Sequence, residues 1–169
     1  MMPNKQKKFS HVMAHIKTIG IATALAAFLA DQASKWYLLA VADIAHRPPI
    51  EVTPFFNLVM VWNQGVSFGM LASHNQPYPL IALSLIICAF LVRWLWTTSI
   101  TWVAAAIGLV IGGALGNIVD RLRYGAVADF FDFYIKNLHW PAFNIADSCI
   151  FIGVVLLCVD SMVVARNKG

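Results

Sequence analysis

No charged residue occurs between positions 102 and 119 of this chain. A helix needs about 20 apolar residues to cross the hydrocarbon core of a bilayer, and a soluble helix of that length would carry a polar face. Three comparable runs accompany it. One is uncharged from residue 18 to 30 and continues through Asp31 and Lys35 to 41. Another covers 79–96, and the last covers 145–165 with Asp147 and Asp160 inside it. Of the 169 residues, 60% are apolar and 12% charged, whereas soluble domains carry about 25% charged residues. Disordered chains, coiled coils and ordinary cytosolic enzymes are therefore excluded. The chain reads as a single integral membrane domain over residues 1–169. It is all-α, with transmembrane helices at about 18–41, 79–96, 102–119 and 145–165 and small β-rich elements at the outer membrane surface. The turn at 97–101 is so short that the second and third spans must be antiparallel neighbours.

The first run also has the form of a secretory signal peptide, with Lys5, Lys7 and Lys8 before an apolar stretch and Ala24-Leu25-Ala26 as a cleavage site. Helix-like sequence continues past that point, and three more spans follow, so a retained first helix is expected. An even number of spans puts both termini on one side. Seven basic residues lie there (Lys5, Lys7, Lys8, Lys17, Arg93, Arg166, Lys168) and five on the other (Lys35, Arg47, Arg121, Arg123, Lys136). The positive-inside rule then makes both termini cytoplasmic. Seven of the eight carboxylates fall on the opposite, outer side: Asp31, Asp43, Glu51, Asp120, Asp129, Asp132 and Asp147. Acidic residues contribute little to topology, and at span ends they are costly unless paired or functional. Their clustering therefore points to a site at the outer leaflet. The scattered basic residues give no nucleic-acid footprint. Cys88, Cys149 and Cys158 form neither a disulfide nor a zinc pattern and read as small buried apolar residues.

Both outer loops are aromatic and β-branched. Residues 55–62 read as a strand, Asn63-Gln64-Gly65 as a turn, residues 66–71 as a short interfacial helix and 126–135 as a second strand. The loop between the third and fourth spans is expected to begin near Arg121. Gly108, Gly112 and Gly116 share one helix face with Asp120 and are read as a close-packing stripe. Asp31 and Lys35, at i and i+4, are read as an ion pair that offsets burial. Asn144 and Asp147 have the spacing of a capping box, and that role suffices for Asp147 taken alone. Asp129 and Asp147 flank one short loop at the membrane boundary. Two such carboxylates brought together would share a proton, and one acid with one base can activate water against a peptide carbonyl. None of the five histidines (His11, His15, His46, His74, His139) has a Ser/His/Asp or HExxH context.

Five blocks carry a resemblance: Asp31-Gln32-Ala33-Ser34-Lys35; Asn63-Gln64-Gly65-Val66-Ser67-Phe68-Gly69; Gly112-Gly113-Ala114-Leu115-Gly116-Asn117-Ile118-Val119-Asp120-Arg121; Val127-Ala128-Asp129-Phe130; and Pro141-Ala142-Phe143-Asn144-Ile145-Ala146-Asp147-Ser148. In that order, over residues 20–165, the chain resembles bacterial lipoprotein signal peptidase (signal peptidase II). The resemblance implies an aspartic endopeptidase of the bacterial inner membrane. Its substrates are prolipoproteins bearing a diacylglyceryl-modified cysteine, cut just before that cysteine. It implies Asp129 and Asp147 as the catalytic pair, with Asp31, Lys35, Asn63, Gly65, Asn117, Asp120, Arg121 and Asn144 shaping the pocket and positioning substrate. A monomer in contact with membrane lipid is expected, with no metal, organic cofactor or nucleic acid. A transporter would place polar groups through the midplane, which is apolar here. A membrane scaffold would need only the glycine packing and the ion pairs.

Overall fold

The computed structural model describes residues 4–65 and 77–166. The expected interfacial helix at 66–71 lies outside them. The elements run in chain order as α1 (Asn4–Trp36), which continues as a π-helical turn over Tyr37–Val41, then β1 (Ile50–Thr53), β2 (Phe56–Asn63), α2 (Tyr78–Thr97), α3 (Thr101–Tyr124), β3 (Val127–Ile135), β4 (Leu138–His139) and α4 (Ile145–Arg166). Among the described residues four helices are long and apolar enough to span a membrane, as the sequence runs predict.

Helix α3 is the axis of the bundle. Most of its residues are buried, whereas α1, α2 and α4 turn most of their surface outward. Its glycines are what permit this. A Cβ on Gly108 would meet the carbonyl oxygen of Gly20, and one on Gly112 the carbonyl of Ala24. On the adjacent face, a Cβ on Gly113 would strike the carbonyl of Ala146. The stripe predicted from sequence thus packs on α1, and Gly113 makes the matching approach to α4. Close backbone approach of this kind replaces the hydrophobic drive that lipid cannot supply between helices. At the other end, Ile16 and Leu95 join Val103 and Ile107 in the main apolar cluster.

Helix α3 does not stop at residue 119, where its hydropathy falls. It runs on to Tyr124, so Asp120 is helical as its place on the glycine face predicts, and Arg121 is helical and not the start of a loop. Hydropathy marks the edge of the bilayer, while the helix ends where a residue can leave αR. That residue is Gly125, whose φ of 71° is left-handed and whose N–H closes the helix on the Arg121 carbonyl at 3.1 Å. The reversal sends the chain directly into β3.

The sheet is antiparallel in the order β1-β2-β3-β4. Its central pair joins two segments from either side of the α2–α3 hairpin, with Asn57 opposite Asp132, Val61 opposite Asp129 and Asn63 opposite Val127. Phe130 anchors the sheet through a second apolar cluster with Leu38 and Ile44. The strands expected at 55–62 and 126–135 are therefore two neighbours in one sheet.

Replacing Gly112 by valine should force α1 from α3. Overpacking of a tight contact costs roughly 1–3 kcal/mol, so the variant should melt several degrees below wild type in detergent. Gly112→Val with an unchanged melting temperature would show that the two backbones are not held in contact.

Candidate active site

One hydrogen-bonded network joins residues from five elements at the end of the bundle that carries the sheet. Its base is Lys35 of α1, only 4% exposed, whose Nζ lies 2.8 Å from Asp31 Oδ2 and 2.7 Å from Asp120 Oδ2. Both carboxylates are themselves buried. The predicted i, i+4 pair is thus part of a triad, and α3 supplies the second acid. Asp31 Oδ1 also accepts the Ala146 N–H at 3.0 Å, and Asp120 Oδ2 accepts the Ala128 N–H at 3.1 Å. Gln32 Nε2 donates to Asp31 Oδ2 at 3.0 Å. Gly116 has room only for a hydrogen here, because a Cβ would collide with the Asp31 carboxylate.

The predicted capping box forms at the start of α4. The Asp147 N–H donates to Asn144 Oδ1 at 2.9 Å, and the Asn144 N–H donates to Asp147 Oδ2 at 3.3 Å. Asn144 also reaches the other aspartate, its Nδ2 donating to Asp129 Oδ1 at 2.8 Å. One buried asparagine therefore ties Asp129 to Asp147. Asp129 Oδ2 accepts Asn63 Nδ2 at 3.0 Å, and Asn63 is held in turn by the Gly65 N–H on its Oδ1, at 3.0 Å. Gly65 has φ of 105°, a conformation that side chains disfavour. Asn117 Nδ2 donates to Asp147 Oδ1 at 2.8 Å, while its Oδ1 accepts Lys35 Nζ at 3.3 Å.

All the residues singled out from sequence therefore converge. Asp31, Lys35, Asp120 and Asn117 form the floor, while Asn63, with Gly65 behind it, and Asn144 hold the two acids. Arg121 lies beside them, its Nη1 donating to the Asn117 carbonyl at 3.5 Å, and its buried Nε has no hydrogen-bond partner among the described residues. Gln32, placed in the network by its position next to Asp31, is the side chain that sequence reasoning passed over. Among the described residues no three His, Cys, Asp or Glu side chains converge as a metal site would require.

Burial, with the nearby Asp147 charge adding to it, raises the Asp129 carboxyl to about 7 against the pull of the Asn63 amide, Lys35 and the Asn144 amide. A groove of about 440 Å³ opens onto Asp147 and is otherwise lined by Trp140, Phe143, Ser148, Phe151 and Ile152. A larger one, about 700 Å³, lies along the β3–β4 hairpin and touches neither aspartate. The site thus offers two linked carboxylates of unlike burial beside an apolar channel, which suits proton transfer to and from a substrate with apolar groups.

The raised Asp129 pKa has a sign in stability. Between the ordinary carboxylate value of 3.8 and about 7, the folded chain keeps a proton that the unfolded chain has lost. Folding is therefore penalised progressively as pH rises through that window. Wild type should melt lower at pH 8 than at pH 5 on this account, and Asp129→Asn should reduce that difference by a few degrees Celsius. An identical decline in both proteins, measured by thermal unfolding in one detergent, would refute the raised value.

The sequence profile of the signal peptidase (SPase) II family matches residues 23–163. The lipoprotein signal peptidase of Methylocella silvestris is 41% identical over 155 residues, covering 90% of this chain and 91% of that protein. That of Aeromonas hydrophila is 44% identical over 149 residues, covering 86% and 89%. A bacterial membrane enzyme solved by the in meso method at 2.3 Å superposes with a TM-score of 0.77 at 31% identity, over 89% of this chain and 91% of that one. With its four apolar helices and small four-stranded sheet, this chain is a multi-pass bacterial inner-membrane protein that belongs to the signal peptidase II family.

Proposed function

We propose that this protein is an aspartic endopeptidase that removes the signal peptide from prolipoproteins, cleaving just before a diacylglyceryl-modified cysteine. The observation that carries the aspartic reading is the Asn144 bridge, one side chain that donates to Asp129 Oδ1 and accepts the Asp147 backbone N–H. The bridge keeps two carboxylates in register across a strand and a helix, where they can share one proton. The ionised member takes a proton from water as the water oxygen attacks the carbonyl carbon before the cysteine. The protonated member gives its proton to the carbonyl oxygen, which yields a tetrahedral diol. Proton return to the amide nitrogen breaks the C–N bond and releases the signal peptide.

The lipid on the cysteine would hold the scissile bond at the outer leaflet, level with the acids. The groove beside Asp147 offers apolar walls to such a substrate. Asp31, Lys35 and Asp120 keep the helices in position, and Asn63, Asn117, Asn144 and Arg121 shape the pocket around the acids. No metal or organic cofactor enters the scheme. The whole chain acts as one membrane-embedded unit, with both termini in the cytoplasm.

Asparagine is nearly isosteric with aspartate but cannot cycle a proton. In a gel-shift assay on a purified lipidated prolipoprotein, Asp129→Asn and Asp147→Asn should each lose at least about a thousandfold in rate, and the double variant should be no worse, because members of one catalytic unit are non-additive. Substantial cleavage by a folded, substrate-saturated single variant would end the proposal and leave Asp147 as a helix cap.

The orientation has its own check. Reporters fused after Gly169 or within residues 97–101 should be active only as cytoplasmic reporters, and those near Ser73 or Lys136 only as external ones. A C-terminus found outside would overturn both the orientation and the outer-leaflet site.

A further inference from the structure

The groove of about 700 Å³ along the β3–β4 hairpin takes no part in the chemistry above. Its walls are apolar or aromatic, with Phe55, Phe133, Ile135, Leu138 and Trp140 among them, and His139 is the ionisable side chain set into them. We infer that this groove receives, as an extended chain, the first few residues that follow the cleaved bond, and that His139 is the specificity-determining residue that holds their backbone. The inference rests on the prolipoprotein reading above.

Trp140 puts the groove on the path of the substrate. It lines both this groove and the one that opens onto Asp147, so the two adjoin across a single side chain. They lead to different places. The groove at Asp147 runs against Phe151 and Ile152 of α4, one of the span-length helices, and suits the lipid and the apolar signal segment. The hairpin groove lies at the far end of β3 from Asp129, which stands near the start of that strand. Tyr134, on the groove wall, follows Asp129 by five residues. An extended chain rises about 3.3 Å per residue whether it belongs to the sheet or to the substrate, so a similar number of substrate residues leads from the acids to the hairpin. A cut just before the cysteine leaves that stretch on the retained side of the substrate.

His139 is held as a reader of peptide groups. Its Nδ1 lies 2.9 Å from both carboxylate oxygens of Asp132, which is buried and also accepts Asn57 Nδ2 at 3.4 Å. A carboxylate accepts, so Nδ1 carries a proton, and the buried acid fixes the direction of the ring. Tyr134 stacks on the same ring with centroids 5.1 Å apart. About half of the side chain stays exposed, and its Nε2 has no partner among the described residues. Nε2 accepts a peptide N–H when the ring is neutral and donates to a peptide carbonyl when it is charged, so extended backbone satisfies it in either state. An acyl chain offers it nothing, and a signal helix has already spent its backbone groups on itself. Ile135 and Leu138, 75% and 80% exposed, provide apolar contact for the substrate side chains on either side. A polar atom fixed in an otherwise apolar cleft is what orients a ligand and selects it.

The test compares two lipidated prolipoprotein peptides on the full-length enzyme in detergent, one ending about two residues after the cysteine and the other about eight, long enough to cross the hairpin. One hydrogen bond and one buried apolar side chain are together worth roughly tenfold in binding. Contacts remote from the reacting bond, made equally in the ground and transition states, act through KM. The longer peptide should therefore exceed the shorter about tenfold in kcat/KM, with kcat alike. His139→Phe keeps a stacked ring without its nitrogens, and Leu138→Ser removes one apolar wall. Each should lower the ratio of the two kcat/KM values at least about threefold. A wild-type enzyme with no preference for the longer peptide would overturn the inference. So would a wild-type ratio in folded His139→Phe, the result expected if lipid or the signal helix fills the groove, or if the hairpin is only structural. Should His139→Phe fail to fold, Leu138→Ser decides alone by the same ratio. Failure here is separable from failure of the prolipoprotein reading, in which neither peptide is cut.

Discussion

The ammonium of Lys35, shut between Asp31 and Asp120, is the contact on which the sheet-bearing half of the molecule depends. One cation against two carboxylates leaves a buried negative charge, and burying charge without compensation costs several kcal/mol per ion. The missing compensation comes from backbone N–H groups. Asp31 takes the N–H of Ala146 and Asp120 that of Ala128. Those donors sit at the start of α4 and on β3, one residue before each catalytic candidate. Neutralising the triad therefore locates Asp147 and Asp129. A charge cluster that looks like simple helix pairing in fact fixes where the two candidate acids stand.

The side-chain donors around the two aspartates are amides. Asn63, Asn117 and Asn144 bring hydrogen bonds to the two aspartates without bringing a fixed charge. A lysine in any of those places would hold its carboxylate ionised, whereas the proposed proton-sharing pair needs one member neutral. Each amide is oriented by a partner that can only donate: the Gly65 N–H, the Lys35 ammonium and the Asp147 N–H. The dyad is thus held in position by groups whose own orientation cannot reverse, as a site requires if its acids are to stay within hydrogen-bond tolerance.

Much of this is legible in the sequence, and the limits have physical causes. Four apolar runs announce four helices because bilayer thickness sets their length. The Asp31–Lys35 pair and the Asn144–Asp147 box are readable because both are local, at separations of three and four residues. Asp120 as the third member of the triad is not, since nothing local says that α1 and α3 meet there. The glycine stripe that ends at Asp120 was the available signal, for it brings α3 against α1. The helical state of Arg121 is also hidden from hydropathy, and depends on Gly125 being the residue that turns left-handed. The meeting of Asp129 with Asp147 is implied by the family resemblance, while the residues alone leave Asp147 a sufficient role as a cap. The groove beside Asp147 has no sequence signature. It is formed where Trp140 and Phe143, from the loop, stand over Phe151 and Ile152 of α4.

The glycines of α3 and the acids at its end form one continuous arrangement. Gly108 and Gly112 bring the α1 backbone close, and Gly113 does the same for α4. Gly116, one turn further along the α1 face, is where that approach meets a polar group, and its missing side chain lets the Asp31 carboxylate lie against α3. From there Asp31 reaches Ala146 on one side and Lys35 on the other. Close helix packing, which in lipid must come from small residues and not from hydrophobic drive, is thereby converted into a fixed distance between α1, α3 and α4 at the level of the acids. Rigid elements place side chains more accurately than loops do. Two acids, one on a helix and one on a strand, can be held against one substrate only with that accuracy, and in this protein it originates in the apolar middle of the bundle, away from both of them.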